Sequence, residues 1–249
     1  MLLPTTPVLG AVMAALLIAA AAVAAVFHLV GDDGRSHARR IVTAGLRACA
    51  QLAAVSVVIG WVTGQVAGQF AFVALMVTVA TVTAGRRITP GPSWPWAAVP
   101  ILAGTAPVLL TLLLTRLVPP DAVTLVPVAG ILTGGALTAT TLAGRRALEE
   151  LTTRHGEVEA ALALGLPDRE ARLEIARPAA SGALLPGLDQ TRTVGLVTLP
   201  GAFVGMLLGG ASPAQAGAVQ LFVLVALMAV QAVAVAAVLE LVARARLHR

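Results

Sequence analysis

Long uncharged apolar runs recur along the chain, separated by short stretches that collect almost all of its charge. A helix crosses roughly 30 Å of hydrocarbon with about 20 residues at 1.5 Å rise. The runs predict about seven such spans, at about 8–30, 41–62, 66–84, 97–117, 122–143, 194–210 and 214–243. The third is short, and the sixth carries Pro200 and several glycines, both poor helix formers. No positive charge precedes the first run, and it is too long for a signal-peptide core, so it is expected to stay in the mature protein. The expected fold is all-α: a polytopic transmembrane helix bundle forming one domain over residues 1–249.

Composition agrees with lipid as the solvent. Apolar residues make up 58% of the chain and charged residues 12%, against roughly 25% charged in a soluble domain. All seventeen basic residues other than histidine are arginine. Without lysine there is no P-loop lysine for nucleotide phosphates and no amine for a Schiff base, which excludes an ATPase site of the usual kind and a retinal pump. The arginines lie between apolar runs rather than on an aromatic-studded stripe, so nucleic acid is not an expected partner. They work instead as topology signals. Arg35, Arg39, Arg40 and Arg47, then Arg86 and Arg87, then seven between Arg145 and Arg192, and finally Arg244, Arg246 and Arg249 all fall on one side of a seven-span chain, leaving Arg116 alone opposite. This places the N-terminus outside and the C-terminus in the cytoplasm of a multi-pass protein in the cell inner (cytoplasmic) membrane.

Candidate chemistry is sparse. There is no G-x-S-x-G or H-E-x-x-H, and His28, His37, His155 and His248 show no metal-ligand spacing. No catalytic residue and no metal site is expected. Cys49 is the sole cysteine and is expected to be a small buried packing residue. The spans look nearly free of ionisable groups, which disfavours an ion-coupled carrier. Glu240, Arg116 and His28 sit near span ends, where snorkelling accounts for them.

The segment at about 145–192 mixes acids and bases and is too helix-prone for a linker. Val158, Ala161, Leu162 and Gly165 repeat at helical spacing. Gly165 and Pro167 stop that helix, and a second begins near Asp168 and carries Arg169, Ala171, Arg172 and Ile175 towards Pro178.

Glu159, Ala160 and Ala161, with Leu162 next, Gly165, Ile175 and Pro178 at their offsets, resemble the EAA loop of ABC-transporter permeases. Arg177 departs from the leucine usual there. The resemblance implies a cytoplasmic coupling segment that docks in a cleft of a separate ABC ATPase subunit. ATP and Mg would be bound by that partner, and no cofactor by this chain. An alanine-rich amphipathic helix lying on the membrane is the plainer alternative.

From Arg47 onwards the chain is similar to the Fet-type iron-export permease family and to plant aluminium-sensitivity permeases. The matching residues are Arg47, Gln51 and Leu52; Glu159 with Leu162 to Gly165; the run at 185–201, which includes Asp189, Thr191, Arg192, Pro200 and Gly201; and Gly209 to Pro213. Where that family carries methionines, a threonine and a glutamine after Pro200 and Gly201, this chain has Ala202, Phe203, Val204 and Met206, and its usual Gly-Asn pair is Gly134 and Gly135. Several polar metal-ligand candidates are thereby lost. The resemblance implies a permease, homodimeric and embedded in the lipid bilayer, that exports iron or another metal ion. A stand-alone channel or carrier and a polytopic membrane enzyme are the rival classes.

Gly201, Gly205 and Gly209 lie four apart, as do Gly130 and Gly134. Such stripes let a second helix approach closely. They predict tight packing within the bundle, across a homodimer, or along a translocation path.

Overall fold

The computed structural model describes residues 6–30, 34, 36–62, 65–118 and 122–248. Arg35 and Arg249, both counted above as topology signals, lie outside the described residues. The chain divides into two compact units, Met1–Gly64 and Gln65–Arg249.

The first unit is a helical hairpin of α1 (Pro7–Val26) and α2 (His37–Val62). Pro7 sits in the first turn after extended Thr6, where its missing N–H costs nothing. The His37 N–H donates to the Leu29 carbonyl at 2.9 Å and closes the turn. At Gly45 a Cβ would lie 2.7 Å from Leu17 Cδ1, so glycine sets how near the helices approach. Most of the unit's apolar side chains are exposed, as lipid-facing residues should be. Cys49 is exposed too, which corrects the expectation that it is buried. Within this unit its helix packs against one neighbour, α1, and Cys49 is off that contact.

The second unit contains α3 (Val66–Ile88), a 3-10 turn (Trp94–Ala97), α4 (Ala98–Leu114), α5 (Ala122–Thr153), α6 (His155–Ala163), α7 (Asp168–Ser181), α8 (Leu185–Thr193), α9 (Gly201–Leu208) and α10 (Pro213–Ala243). Its core runs along α5 and α10, with Leu132, Ala136, Ala139 and Ala143 of one near Val230, Ala234 and Val238 of the other. Small residues permit this. Lipid is as apolar as leucine, so helices in it associate through close van der Waals contact rather than the hydrophobic effect. At Gly104 a Cβ would lie 2.7 Å from the Val230 carbonyl oxygen, and at Gly144 2.8 Å from Ile88 Cδ1. α10 opens on a capping box in which Ser212 and Gln215 satisfy each other's backbone N–H.

Among the described residues six helices are long and apolar enough to cross a membrane: Pro7–Val26, His37–Gly60, Ala67–Ile88, Trp94–Leu114, Thr124–Thr153 and Pro213–Ala243. The protein is an all-α polytopic bundle. Five of the predicted spans end within a few residues of these helices. The fifth does not, because α5 continues past the predicted limit at 143 to Thr153, carrying Arg145 and Arg146 on its own helix. The run at 194–210 is not one helix; it forms a break, a turn at 195–197 closed between Val194 and Thr198, followed by the short α9.

In the second unit the arginine-rich loops share one end. Ser93 Oγ donates to the His248 carbonyl at 2.7 Å, Leu247 is fully buried, and the Arg246 guanidinium lies 5.5 Å from the centre of the Trp96 ring. Arg86 stands 5.3 Å over Trp94 in the same way.

Gly104→Ala forces a methyl onto the Val230 backbone and is expected to cost on the order of 1–3 kcal/mol. Gly217→Ala in α10 meets open space and should stabilise by about 0.5–1 kcal/mol. Thermal unfolding in detergent, followed by tryptophan fluorescence, should move in opposite directions for the two.

Candidate functional site

Beyond the bilayer-length part of α5 the helix turns a corner at Arg154 (φ −107, ψ 33) and restarts as α6. Arg154 holds that corner. Its Nε donates to Glu157 Oε1 at 2.6 Å, Nη2 pairs with Glu157 Oε2, and Nη1 donates to Glu150 Oε1 at 3.1 Å. The hydrogen bonds from Arg154 hold the Glu157 carboxyl below its ordinary range.

α6 ends in a Schellman motif. The Gly165 N–H donates to the Leu162 carbonyl at 2.9 Å and the Leu166 N–H to the Ala161 carbonyl at 3.1 Å, with Gly165 left-handed at φ +92. After Pro167, α7 folds back so that Val158, Ala171 and Ile175 are buried together, with Ala161 and Leu166 against them. The inward residues Val158 and Ala161 are three apart, so the other faces of α6 point out. Glu159, Ala160, Leu162 and Gly165 are exposed on it, and Leu164 at the tip is 83% exposed. His155 Nδ1 lies 3.4 Å from Glu159 Oε1. The structure therefore joins Glu159 to Ile175 in one helix-turn-helix knob. Pro178 does not end α7, which runs on to Ser181 with the proline inside it. What that ring removes is one N–H to a carbonyl in the preceding turn.

The knob is strapped to the C-terminal end of α10. Arg169 makes a bidentate pair with Glu240, Nε to Oε1 and Nη2 to Oε2, both at 2.7 Å. Arg244 also donates to Glu240 Oε1, and Arg172 Nη1 reaches the Ala243 carbonyl at 3.4 Å. Snorkelling is thus not what Glu240 does. The available signal was that it is the sole acid in the 31-residue α10.

A second cluster lies on α8, the break and α9. A Cβ at Gly187 would collide with the Gln231 side-chain oxygen. Gln231 is about 18 Å up α10 from Ala243, near the middle of that helix. Further along, Val194, Pro200 and Phe203 line a cavity of about 180 Å³ with Gly217, Gln220 and Leu224 of α10. Hence α8, the break and α9 run antiparallel to α10 as a discontinuous span. Asp189, Gln190, Thr191 and Arg192 lie beside α10, not in a loop remote from the helices. Thr191 Oγ1 donates to the Gly187 carbonyl at 2.9 Å, and Arg192 Nη1 stands 3.6 Å from Asp189 Oδ1. In the break the Thr193 carbonyl accepts from Leu196, Val197 and Thr198, and the Gly195 N–H (φ +81) donates to Thr198. Gln220 is 6% exposed, and its Oε1 has no partner.

The glycines separate by role. Gly130 packs on Met76, with a Cβ 2.8 Å from its Cε, while Gly134, Gly201 and Gly205 have open space where a side chain would go. Gly209 meets only carbonyls of its own helix. Gly135, next to Gly134 on α5, packs against Leu227 although the four-residue spacing does not mark it. Arg47 and Gln51 lie one turn apart and exposed on α2, in the first unit. No group of three or more metal-ligating side chains occurs among the described residues.

Gly165→Ala is expected to cost about 1–2 kcal/mol, the left-handed penalty of an L-residue, whereas Gly156→Ala, with φ unremarkable and space free, should cost nothing; hydrogen exchange of the amides of α6 separates the two. The corner should loosen in acid. Because Glu157 titrates below its unfolded value, its contribution is complete above about pH 4.3 and vanishes as pH falls through the lowered folded value. Exchange at residues 150–160, corrected for intrinsic rate, should accelerate there and lose that pH dependence in Glu157→Gln.

Residues 10–247 match the uncharacterised protein family UPF0014. The chain is 38% identical over 185 residues to the UPF0014 membrane protein STAR2 of Oryza sativa subsp. japonica, covering 73% of this chain and 65% of that protein. It is 39% identical over 150 residues to the protein ALUMINUM SENSITIVE 3 of Arabidopsis thaliana, covering 60% and 55%. With the probable iron export permease protein FetB of Escherichia coli (strain K12) it shares 31% identity over 98 residues, 39% and 38% of the two chains. The match thus spans a little over half to about two thirds of the plant proteins' own lengths. No solved structure matches this chain. Family match and six membrane-length helices together make this chain a multi-pass membrane protein of the UPF0014 family.

Proposed function

We propose that the chain is the permease subunit of an ABC transporter. Two copies form a homodimer in the cell inner (cytoplasmic) membrane, with the arginine-rich end in the cytoplasm and the N-terminus outside. A separate ABC ATPase subunit binds and hydrolyses ATP with Mg, and the cargo is iron or another metal ion, exported. The observation that carries this reading is the knob from His155 to Ser181: an exposed face of Glu159, Ala160, Leu162 and Leu164 on a rigid turn, tied by Arg169 and Glu240 to a membrane-length helix. A protruding helix with small residues flanked by one acid and apolar side chains suits insertion into a cleft, and its strap transmits movement to α10. The likeness to a probable iron export permease supports the metal. Coupling of this kind requires that the knob bind the partner's two states unequally.

Glu159→Arg reverses charge on the docking face without touching the buried Val158 side. It should weaken capture of the ATPase about tenfold, equivalent to roughly 1.4 kcal/mol, and lower transport-coupled hydrolysis accordingly. Gly165→Pro cannot adopt φ +92 and should abolish both. Undiminished coupled hydrolysis in either purified complex would overturn the docking assignment. Transport by the chain alone in liposomes would instead support a channel or carrier.

Breaking the strap should act differently. Arg169→Glu is expected to leave ATPase capture intact while transport per ATP falls severalfold, and the exchanged pair Arg169→Glu with Glu240→Arg should recover part of it. Transport and hydrolysis measured side by side in proteoliposomes distinguish loss of coupling from loss of binding.

A further inference from the structure

The face of α8 that carries Asp189 and Arg192 has no cover among the described residues of its unit. Its side chains are 68% and 71% exposed, respectively, and their separation of 3.6 Å leaves the pair loosely neutralised. Gln190 is exposed beside them. Leu185, Leu196, Val197 and Leu199 are exposed on the same discontinuous span, at 54%, 92%, 78% and 63%. Gly187 fixes this segment against Gln231, level with the middle of α10. An ion pair ringed by such large apolar side chains does not face acyl chains; it meets protein or a water-filled path. A purely aqueous surface would in turn leave the large apolar side chains around the pair in water.

We infer that this face docks on the same face of a second copy, so that Asp189 of each chain pairs with Arg192 of the other. The charges favour that occupant over any other. A two-fold interface brings the same patch onto itself, with residue i against j and j against i, and needs a surface that complements its own image. Opposite charges three residues apart on one helix meet that condition. A two-fold axis along the membrane normal keeps both copies at equal depth, so the partners are offset by about 4.5 Å along the helix, within reach of an arginine side chain. The outer half of the span fits the same arrangement, since Gly201 and Gly205 of α9 have free space at their Cβ positions and permit close approach. This inference rests on the homodimer part of the reading above and adds to it the surface and the pairing.

The test uses the full chain in native membranes, with Cys49→Ser and Gln190→Cys as the sole thiol. Mild oxidation is expected to give a cross-linked dimer. Asp189→Arg alone, or Arg192→Asp alone, places like charges across the axis and should reduce that product about tenfold at equal amounts in the membrane. Co-expressing the two variants under different tags should restore it, as a mixed dimer, because each then supplies what the other lacks. If a charge-reversed variant does not accumulate, Asp189→Asn and Arg192→Gln should each lower the yield to a smaller extent. The inference is overturned if the parent does not cross-link, if both single reversals cross-link as the parent does, or if the mixed pair stays uncoupled. Cross-linking needs no ATPase, so a paired dimer that captures none would defeat the transporter reading and leave this interface standing. Intact coupled hydrolysis without rescue in the mixed dimer would do the reverse.

Discussion

Inside hydrocarbon a peptide group without a partner costs several kcal/mol, because no water is present to replace the missing hydrogen bond. That penalty decides most of this molecule. It makes the long apolar runs predominantly helical, and it lets Pro107 and Pro127 sit inside α4 and α5 only where neighbouring structure or local adjustment serves the freed carbonyls. It also explains where the one real interruption occurs. The break at 194–200 lies against α10 and beside a cavity, where the Thr193 carbonyl gathers three N–H groups and Gly195 turns left-handed to donate to Thr198. A break of this kind is tolerable beside protein and not beside lipid.

The same constraint turns α10 into the mechanical spine of its unit. It contacts α4 and α5 through backbone-close glycines and alanines, it faces the discontinuous span through Gln231 and Gln220, and its C-terminal end receives the knob through Glu240. A displacement of α7 therefore reaches the break by way of one stiff helix rather than a chain of loops. Packed small residues allow little slack, so such a helix moves as a body. The corner at Arg154 supplies the complementary stiffness on the α5 side, joining Glu150 to Glu157 across a change of helix direction.

Periodicity made the membrane helices legible because a 20-residue apolar run has few alternative fates in a cell. Capping chemistry made the knob legible, since a glycine followed two residues later by proline can end one helix and begin another, and Gly165 and Pro167 do so. The break was half legible: Pro200 and its glycines weakened the helix forecast at 194–210, but nothing local revealed that α8 rises beside α10. Asp189 and Arg192 look like loop residues by composition, and only the contact between Gly187 and Gln231 places them beside α10. Cys49 misled for the opposite reason, because an apolar neighbourhood in sequence implies burial in protein only when the surrounding solvent is water. Glycine spacing pointed to Gly130 and Gly134, whereas the glycines of α5 in close contact within the chain include Gly130 and Gly135, and Gly135 is one residue, or about 100° around the helix, from Gly134.

That displacement of charge bears on how cargo could be chosen. The sole cysteine is on α2, and no cluster of three ligating side chains occurs among the described residues. What the discontinuous span presents instead is one carboxylate and one guanidinium per chain, the carboxamide of Gln220, and backbone carbonyls of an unwound segment. Oxygen donors of this kind bind hard cations weakly and hydrated ones more readily than bare ones, since few protein ligands are available to replace the water shell. Weak retention suits a conduit that must release what it takes up. Under the transport role proposed above, discrimination would fall to charge and to the width of the opening, both of which a second copy facing the first would set.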